Sequence, residues 1–107
     1  MTDWAVVFTT TESETQAEAI TQALVEAKLA ACVSIFPIQS IYTWQGKVER
    51  ATEWQLTIKT RMAQFDQLAV KVQSLHSYEV PELIALPIEK GAASYLSWMN
   101  EQVPDKL

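Results

Sequence analysis

The sequence predicts an α+β domain: an antiparallel sheet with helices on one face and a further helix trailing behind. Three observations predict it. Strand-like and helix-like apolar spacings alternate in the order β-α-β-β-α-β along the 107 residues. Two strand patterns, Ala31 to Trp44 and Lys47 to Thr60, follow each other directly and meet at Gln45-Gly46. No linker, repeat or low-complexity tract breaks the chain, so residues 1–107 read as one domain.

Trp4 to Phe8 is a short continuous apolar run, the pattern of a strand buried on both faces. Ser13 with Gln16, or Thr11 with Glu14, suits a capping box. Ala17, Ile20, Leu24 and Ala27 then repeat at helical spacing and predict a helix over 13–28. The second strand opens at Ala31 and contains Pro37, which cannot donate to a ladder and belongs at an edge, bulge or bend. Beyond it Ile38, Ser40, Tyr42 and Trp44 share one face. Gln45-Gly46 suits a tight turn. The third strand alternates most cleanly, with Val48, Trp54, Leu56 and Ile58 on one side and Glu53, Gln55, Thr57 and Lys59 on the other.

Phe65, Leu68, Val72 and Leu75 mark a second amphipathic helix over roughly 62–76. Glu82 to Ile88 reads as a short last strand interrupted by Pro87. Ala92, Tyr95, Leu96, Met99 and Val103 give a third helix that stops before Pro104. This order is the split β-α-β arrangement of ferredoxin-like folds. Its second sheet face stays partly apolar and has to be covered by something.

The hairpin is too long for the body behind it. Fourteen strand residues reach roughly 46 Å, whereas a compact chain of this length has a radius of gyration near about 13 Å. The overshoot carries apolar side chains and unpaired backbone groups beyond the globule. The chain is therefore expected to be an obligate oligomer, with copies sharing what one copy exposes.

Composition narrows the partners. A net charge of −5 disfavours nucleic acid, whose binding rests on Lys and Arg neutralising phosphates, and equally disfavours an anionic membrane. It suits cations. One cysteine, Cys32, cannot form an internal disulfide, and Met1-Thr2-Asp3-Trp4 carries no basic stretch followed by an apolar run. A cytoplasmic location is the expectation.

Five blocks along the chain carry a resemblance: Ala30-Ala31-Cys32-Val33-Ser34-Ile35, Tyr42-x-Trp44-x-Gly46-Lys47, Lys59-Thr60, His76-Ser77-Tyr78-Glu79-Val80-Pro81-Glu82, and Tyr95-Leu96-x-Trp98. In order and spacing they resemble the CutA divalent-cation tolerance family. The resemblance implies a ferredoxin-like subunit in an interlocked homotrimer, with the long hairpin pairing to neighbours. It also implies a cytoplasmic protein linked to tolerance of copper and other divalent metals, whose molecular activity the family does not define. Two departures stand out. Ser77 occupies a position where the family usually has Pro, and Thr9 and Thr10 stand where some members carry a Cys regarded as a copper ligand.

The candidate metal donors are Cys32, His76 and Glu79, because transition metals favour thiolate and imidazole. Neither a CxxC nor an HxxxH spacing is present, and each residue also has a structural reading. A lone strand cysteine is commonly a small buried hydrophobe, and a histidine ending a helix can bond its last carbonyls. A Cys32–His76 nucleophile pair has no spacing to support it, so no catalytic residues are assigned and an enzyme is not expected. A second constellation is a cleft or interface formed by Tyr42, Trp44, Glu53, Lys59, Tyr78, Glu82 and Trp98, an aromatic wall with a few polar groups. Its alternative is a packed aromatic interface in which Glu79 and Glu82 pair with Lys59, Lys47 or Arg50. Besides metal tolerance, two other readings stand. One is a small-ligand sensor or adaptor resembling the trimeric nitrogen-regulatory signalling proteins; the other is a structural anchoring protein held by Trp44 and Trp54.

Overall fold

The computed structural model describes residues 3–105; Met1 and Thr2, on which part of the leader reading falls, lie outside the described residues. Four strands and three α-helices follow one another as β1 (Trp4–Thr11), α1 (Glu14–Glu26), β2 (Cys32–Trp44), β3 (Lys47–Arg61), α2 (Phe65–Leu75), β4 (Ile84–Pro87) and α3 (Ala93–Gln102). A single 3-10 turn, Met62–Gln64, leads into α2. The sheet is antiparallel with order β2-β3-β1-β4. This is the α+β, ferredoxin-like arrangement that the apolar spacing predicts.

Side-chain alternation sorts the sheet into two faces. Val7, Leu56 and Ile58 point to the side covered by α1 and α2, where they pack with Ile20, Leu24, Leu68 and Val72. The expectation that β1 is buried on both faces is corrected. Ala5, Val7, Thr9 and Thr11 are buried, whereas Trp4, Val6 and Phe8 on the other face are only partly covered. Those residues face a side that one chain leaves open.

The helices divide between the faces: α1 and α2 share one, as expected, and the trailing helix α3, whose place the sequence left open, goes to the other. Arg61 and Cys32 project from the open face, two residues along or opposite Lys59. Both meet α3 or its end: Arg61 bonds Asn100 Oδ1 at 2.6 Å and the Val103 carbonyl at 3.0 Å, and Tyr95 lies against Cys32. α3 therefore covers one end of the open face.

Local signals decide where elements begin and stop. Ser13 caps α1, its hydroxyl accepting from the Gln16 amide at 3.1 Å. The helix ends at Glu26, two residues short of the expected 28, because Lys28 turns left-handed at φ 60° and sends the chain into Leu29. β4 is shorter than its apolar run, since only Ile84–Pro87 pairs with β1. Pro37 sits on β2, which is an edge strand, as its missing donor requires.

The hairpin sets the shape. Its ladder runs without a bulge from Cys32–Lys59 to Trp44–Lys47, and thirteen residues at about 3.3 Å each give roughly 43 Å. The molecule is 44 Å along its long axis and 25 and 21 Å across. Gln45 and Gly46 close the ribbon with φ of 51° and 80°, the signature of a type I′ turn. Every residue from 41 to 50 is exposed. Val48 keeps 71% of its surface exposed and Ile41 60%, so the overshoot inferred from strand length is present in the folded chain.

Candidate functional site

A cleft of about 740 Å³ opens beside the hairpin, between the middle of β2 and the 77–82 segment that leads into β4. Tyr42, Trp44, Glu53, Tyr78 and Glu82 line it, as does Glu79. Five of the seven residues expected in a cleft thus come together in one copy. Lys59 and Trp98 do not: Lys59 Nζ donates to Ser34 Oγ at 3.3 Å further along the sheet, and Trp98 stacks with Tyr95 on α3. Trp54, expected as an anchor beside Trp44, instead faces the helices, half-buried against the core.

Glu53 is the pivot of the site. It lies in the middle of β3 opposite Ile38 and is only 6% exposed. Tyr78 Oη donates to its Oε2 at 2.7 Å. Partial burial, followed by the bond to Glu53 and that carboxylate's charge, pushes the Tyr78 phenol well above its ordinary value. The phenol accordingly stays a donor across the physiological range.

His76 holds the segment that carries Tyr78. It ends α2 with extended backbone, so it does not bond the last carbonyls of its own helix as the sequence suggests. Its Nδ1 accepts from the Tyr78 amide at 3.0 Å and its Nε2 lies 2.7 Å from the Thr10 carbonyl. An amide only donates and a carbonyl only accepts, so Nδ1 carries the lone pair and Nε2 the proton. The ring thereby fastens the 77–82 segment to the end of β1, and both nitrogens are occupied. Its centroid lies 4.9 Å from that of Tyr78. Ser77 adds a second tie, its hydroxyl donating to Gln16 Oε1 at 3.0 Å.

The three candidate metal donors stay apart in one chain. Cys32 is opposite Lys59, and Lys59 is opposite Val6; His76 bonds Thr10, four residues further along β1 or about 13 Å away. Cys32 is a free, half-buried thiol facing Tyr95, whose phenol it and local burial push upward, burial being the larger cause. Glu79 is exposed on the cleft rim. Among the described residues no three His, Cys, Asp or Glu side chains gather to hold a metal ion. Of the two threonines Thr9 and Thr10, Thr10 lines the cleft while Thr9 points into the core.

The ion pairs considered for Glu79 and Glu82 are absent among the described residues. The pairs present join Arg61 to Asp3 and to Asp105. Arg61 is 2% exposed, lies over the Trp4 ring at 4.2 Å and bonds the Val103 carbonyl. It ties both ends of the described chain to the sheet. Nothing in its local pattern singles it out: a basic residue ending a strand is ordinary until its partners are known. Gln39, Ser40 and Ile41 also line the cleft unforeseen, since only the position of the 77–82 segment makes that stretch of β2 its wall.

The comparisons with known proteins agree with one another. Residues 5–102 match the model of the CutA1 divalent ion tolerance protein family. The divalent-cation tolerance protein CutA of Archaeoglobus fulgidus is 44% identical over 97 residues, covering 91% of this chain and 95% of its own. That of Thermus thermophilus is 48% identical over 97 residues, covering 90% and 94%. The crystal structure of CutA1 from Oryza sativa superposes with a TM-score of 0.94 at 39% identity, over 98% of this chain and 97% of that one. With its fold, its hairpin and nearly its whole length accounted for, the chain belongs to the CutA1 divalent ion tolerance protein family.

Proposed function

We propose that this protein acts in tolerance of divalent metal ions such as copper, as a cytoplasmic homotrimer that binds the metal directly. The observation that carries the assembly is the exposed ribbon: residues 41–50 hold Ile41, Tyr42, Trp44 and Val48 outside the globule. A soluble chain covers apolar surface of this kind, and copies of itself offer matching ribbon edges. Family membership and the acidic balance support the metal role. Because no three donors gather among the described residues of one chain, the metal is held by donors from more than one copy, with Cys32 and Glu79 available and His76 already committed to Thr10 and Tyr78. A free Cys32 suits a reducing compartment, although the related Archaeoglobus fulgidus protein is named as periplasmic.

Sedimentation at micromolar dilution is expected to return the mass of three chains; a stable, folded monomer overturns the assembly. Calorimetry with copper and zinc on wild type, Cys32→Ala, His76→Ala and Glu79→Ala tests the metal. Saturable binding that at least one substitution weakens is expected, and identical weak binding by all four overturns it.

The size of the cleft favours a second reading, a small-ligand sensor, since about 740 Å³ lies within the usual range of ligand sites. Stabilisation in a thermal-shift screen of metabolites checks that reading, and a screen without a hit counts against it.

A further inference from the structure

The overhanging part of the ribbon has two faces, and their charges differ. Arg50 stands opposite Ile41 in the ladder, so it shares one face with Ile41, Val48 and Thr52. Ile41 and Val48 are the most exposed apolar residues of the ribbon. Lys47 lies on the other face, where Glu49 two residues along supplies opposite charge. Between positions 39 and 52 no carboxylate shares the face of Arg50, and the ion pairs among the described residues do not include it.

A copy of the chain that covers Ile41 and Val48 encloses Arg50 as well. An enclosed guanidinium without a partner is costly, so the covering surface has to bring carboxylates along with apolar groups. The cleft has that composition. Glu53, Glu79 and Glu82 line it with Tyr42, Trp44 and Tyr78, and among the described residues no lysine or arginine does. Glu79 and Glu82 are exposed and join no ion pair among the described residues. Arginine suits both parts of that lining, forking onto carboxylates and stacking on rings.

Charge also decides how the copies are arranged. Two ribbons meeting through their Arg50 faces would bring guanidinium to guanidinium, and two clefts would bring carboxylates to carboxylates. A two-fold contact through either surface is thereby disfavoured. Joining the unlike surfaces head to tail generates a ring instead.

We infer that the Arg50 face of one ribbon docks over the cleft of the next copy, with Arg50 on the carboxylates of Glu79 and Glu82, and that this contact closes the trimer. The inference rests on the trimer reading and names the surfaces that make it.

Fluorescence-detected sedimentation of the full-length protein from nanomolar to micromolar dilution, at about 0.15 M salt, tests it. The variants are Arg50→Glu, the pair Glu79→Arg and Glu82→Arg, all three changes together, and Lys71→Glu as a control for net charge on α2. All four positions are exposed in one copy, so the fold should persist, which circular dichroism checks. Arg50→Glu and the paired variant are each expected to raise the midpoint concentration of assembly about tenfold or more, as loss of an enclosed charge pair does. Lys71→Glu should leave it unchanged, and the triple variant should recover most of the loss. A monomeric wild type overturns the trimer reading and this contact with it. A trimeric wild type whose Arg50→Glu variant assembles equally well overturns the contact alone, as does a triple variant that associates no better than Arg50→Glu.

Discussion

Tyr78 donates its hydroxyl to Glu53 Oε2 at 2.7 Å, and this bond closes the inner end of the cleft between the hairpin and the segment before β4. It joins residues 25 apart in sequence on two elements that share no ladder. Removing the donor leaves a nearly buried carboxylate with one acceptor unmatched. Tyr78→Phe is therefore expected to lower stability by about 1–3 kcal/mol in urea denaturation. Glu53→Gln should cost less, because its amide oxygen still accepts.

The same pair has a pH signature. The folded-state value of the Tyr78 phenol is raised, first by burial and then by Glu53, so the folded protein holds that proton more tightly than the unfolded chain. Its contribution is complete below the unfolded phenol value near about 10 and is lost as pH climbs above it. Between about pH 8 and 11 the wild type should lose more stability than Tyr78→Phe, measured as the difference in urea midpoints. Equal losses would show that the bond does not form.

Thr60 Oγ1 donates to the Leu29 carbonyl at 2.6 Å in the fully buried space between β3 and the α1–β2 connection. Thr60→Val keeps the shape and leaves that carbonyl without a donor. A loss of about 1–3 kcal/mol is expected from denaturant unfolding. Thr60→Ser keeps the donor and should recover most of it.

Arg61 gathers the Asn100 side chain and the Val103 carbonyl with one planar group while lying over Trp4. A lysine ammonium cannot reproduce that fork or stack in the same way. Arg61→Lys should thus behave much like Arg61→Ala, each destabilising by about 1–3 kcal/mol through the orphaned carbonyl and lost packing. Amide hydrogen exchange in α3 should rise in both. Exchange that stays at wild-type levels would show α3 to be held by its apolar contacts alone.

The turn is tested by backbone chemistry without packing. A methyl group added at Gly46 would meet nothing within 4 Å, so Gly46→Ala reports only the cost of a side chain at φ 80°. That cost is about 1–2 kcal/mol. Gln45, at φ 51°, already bears such a cost, and Gln45→Asn is expected to raise the thermal midpoint because asparagine suits that conformation.

The residues that repeat in period declare themselves without a structure. Ile20, Leu24, Leu68 and Val72 reveal their helices, and Leu56 and Ile58 their strand, because burial of one face enforces the spacing locally. The length of the ribbon was equally legible, since rise per residue is a property of the backbone and no tertiary contact alters it. Half of the cleft followed from that: Tyr42, Trp44 and Glu53 are placed by strand register alone.

What the chain pattern left open depends on contacts between segments remote in sequence. That α3 crosses to the open face is decided by Arg61 and Tyr95 finding partners there. That His76 is a fastener and not a free ligand follows from the Thr10 carbonyl lying 66 residues away. Cys32 and His76 read alike as soft donors in the sequence, yet about 13 Å of β1 separates them. Local periodicity determined the elements and their lengths, because it answers to burial and backbone geometry. Only the tertiary structure decided which polar groups meet, because a hydrogen bond is made over about 3 Å and no spacing along the chain encodes that approach.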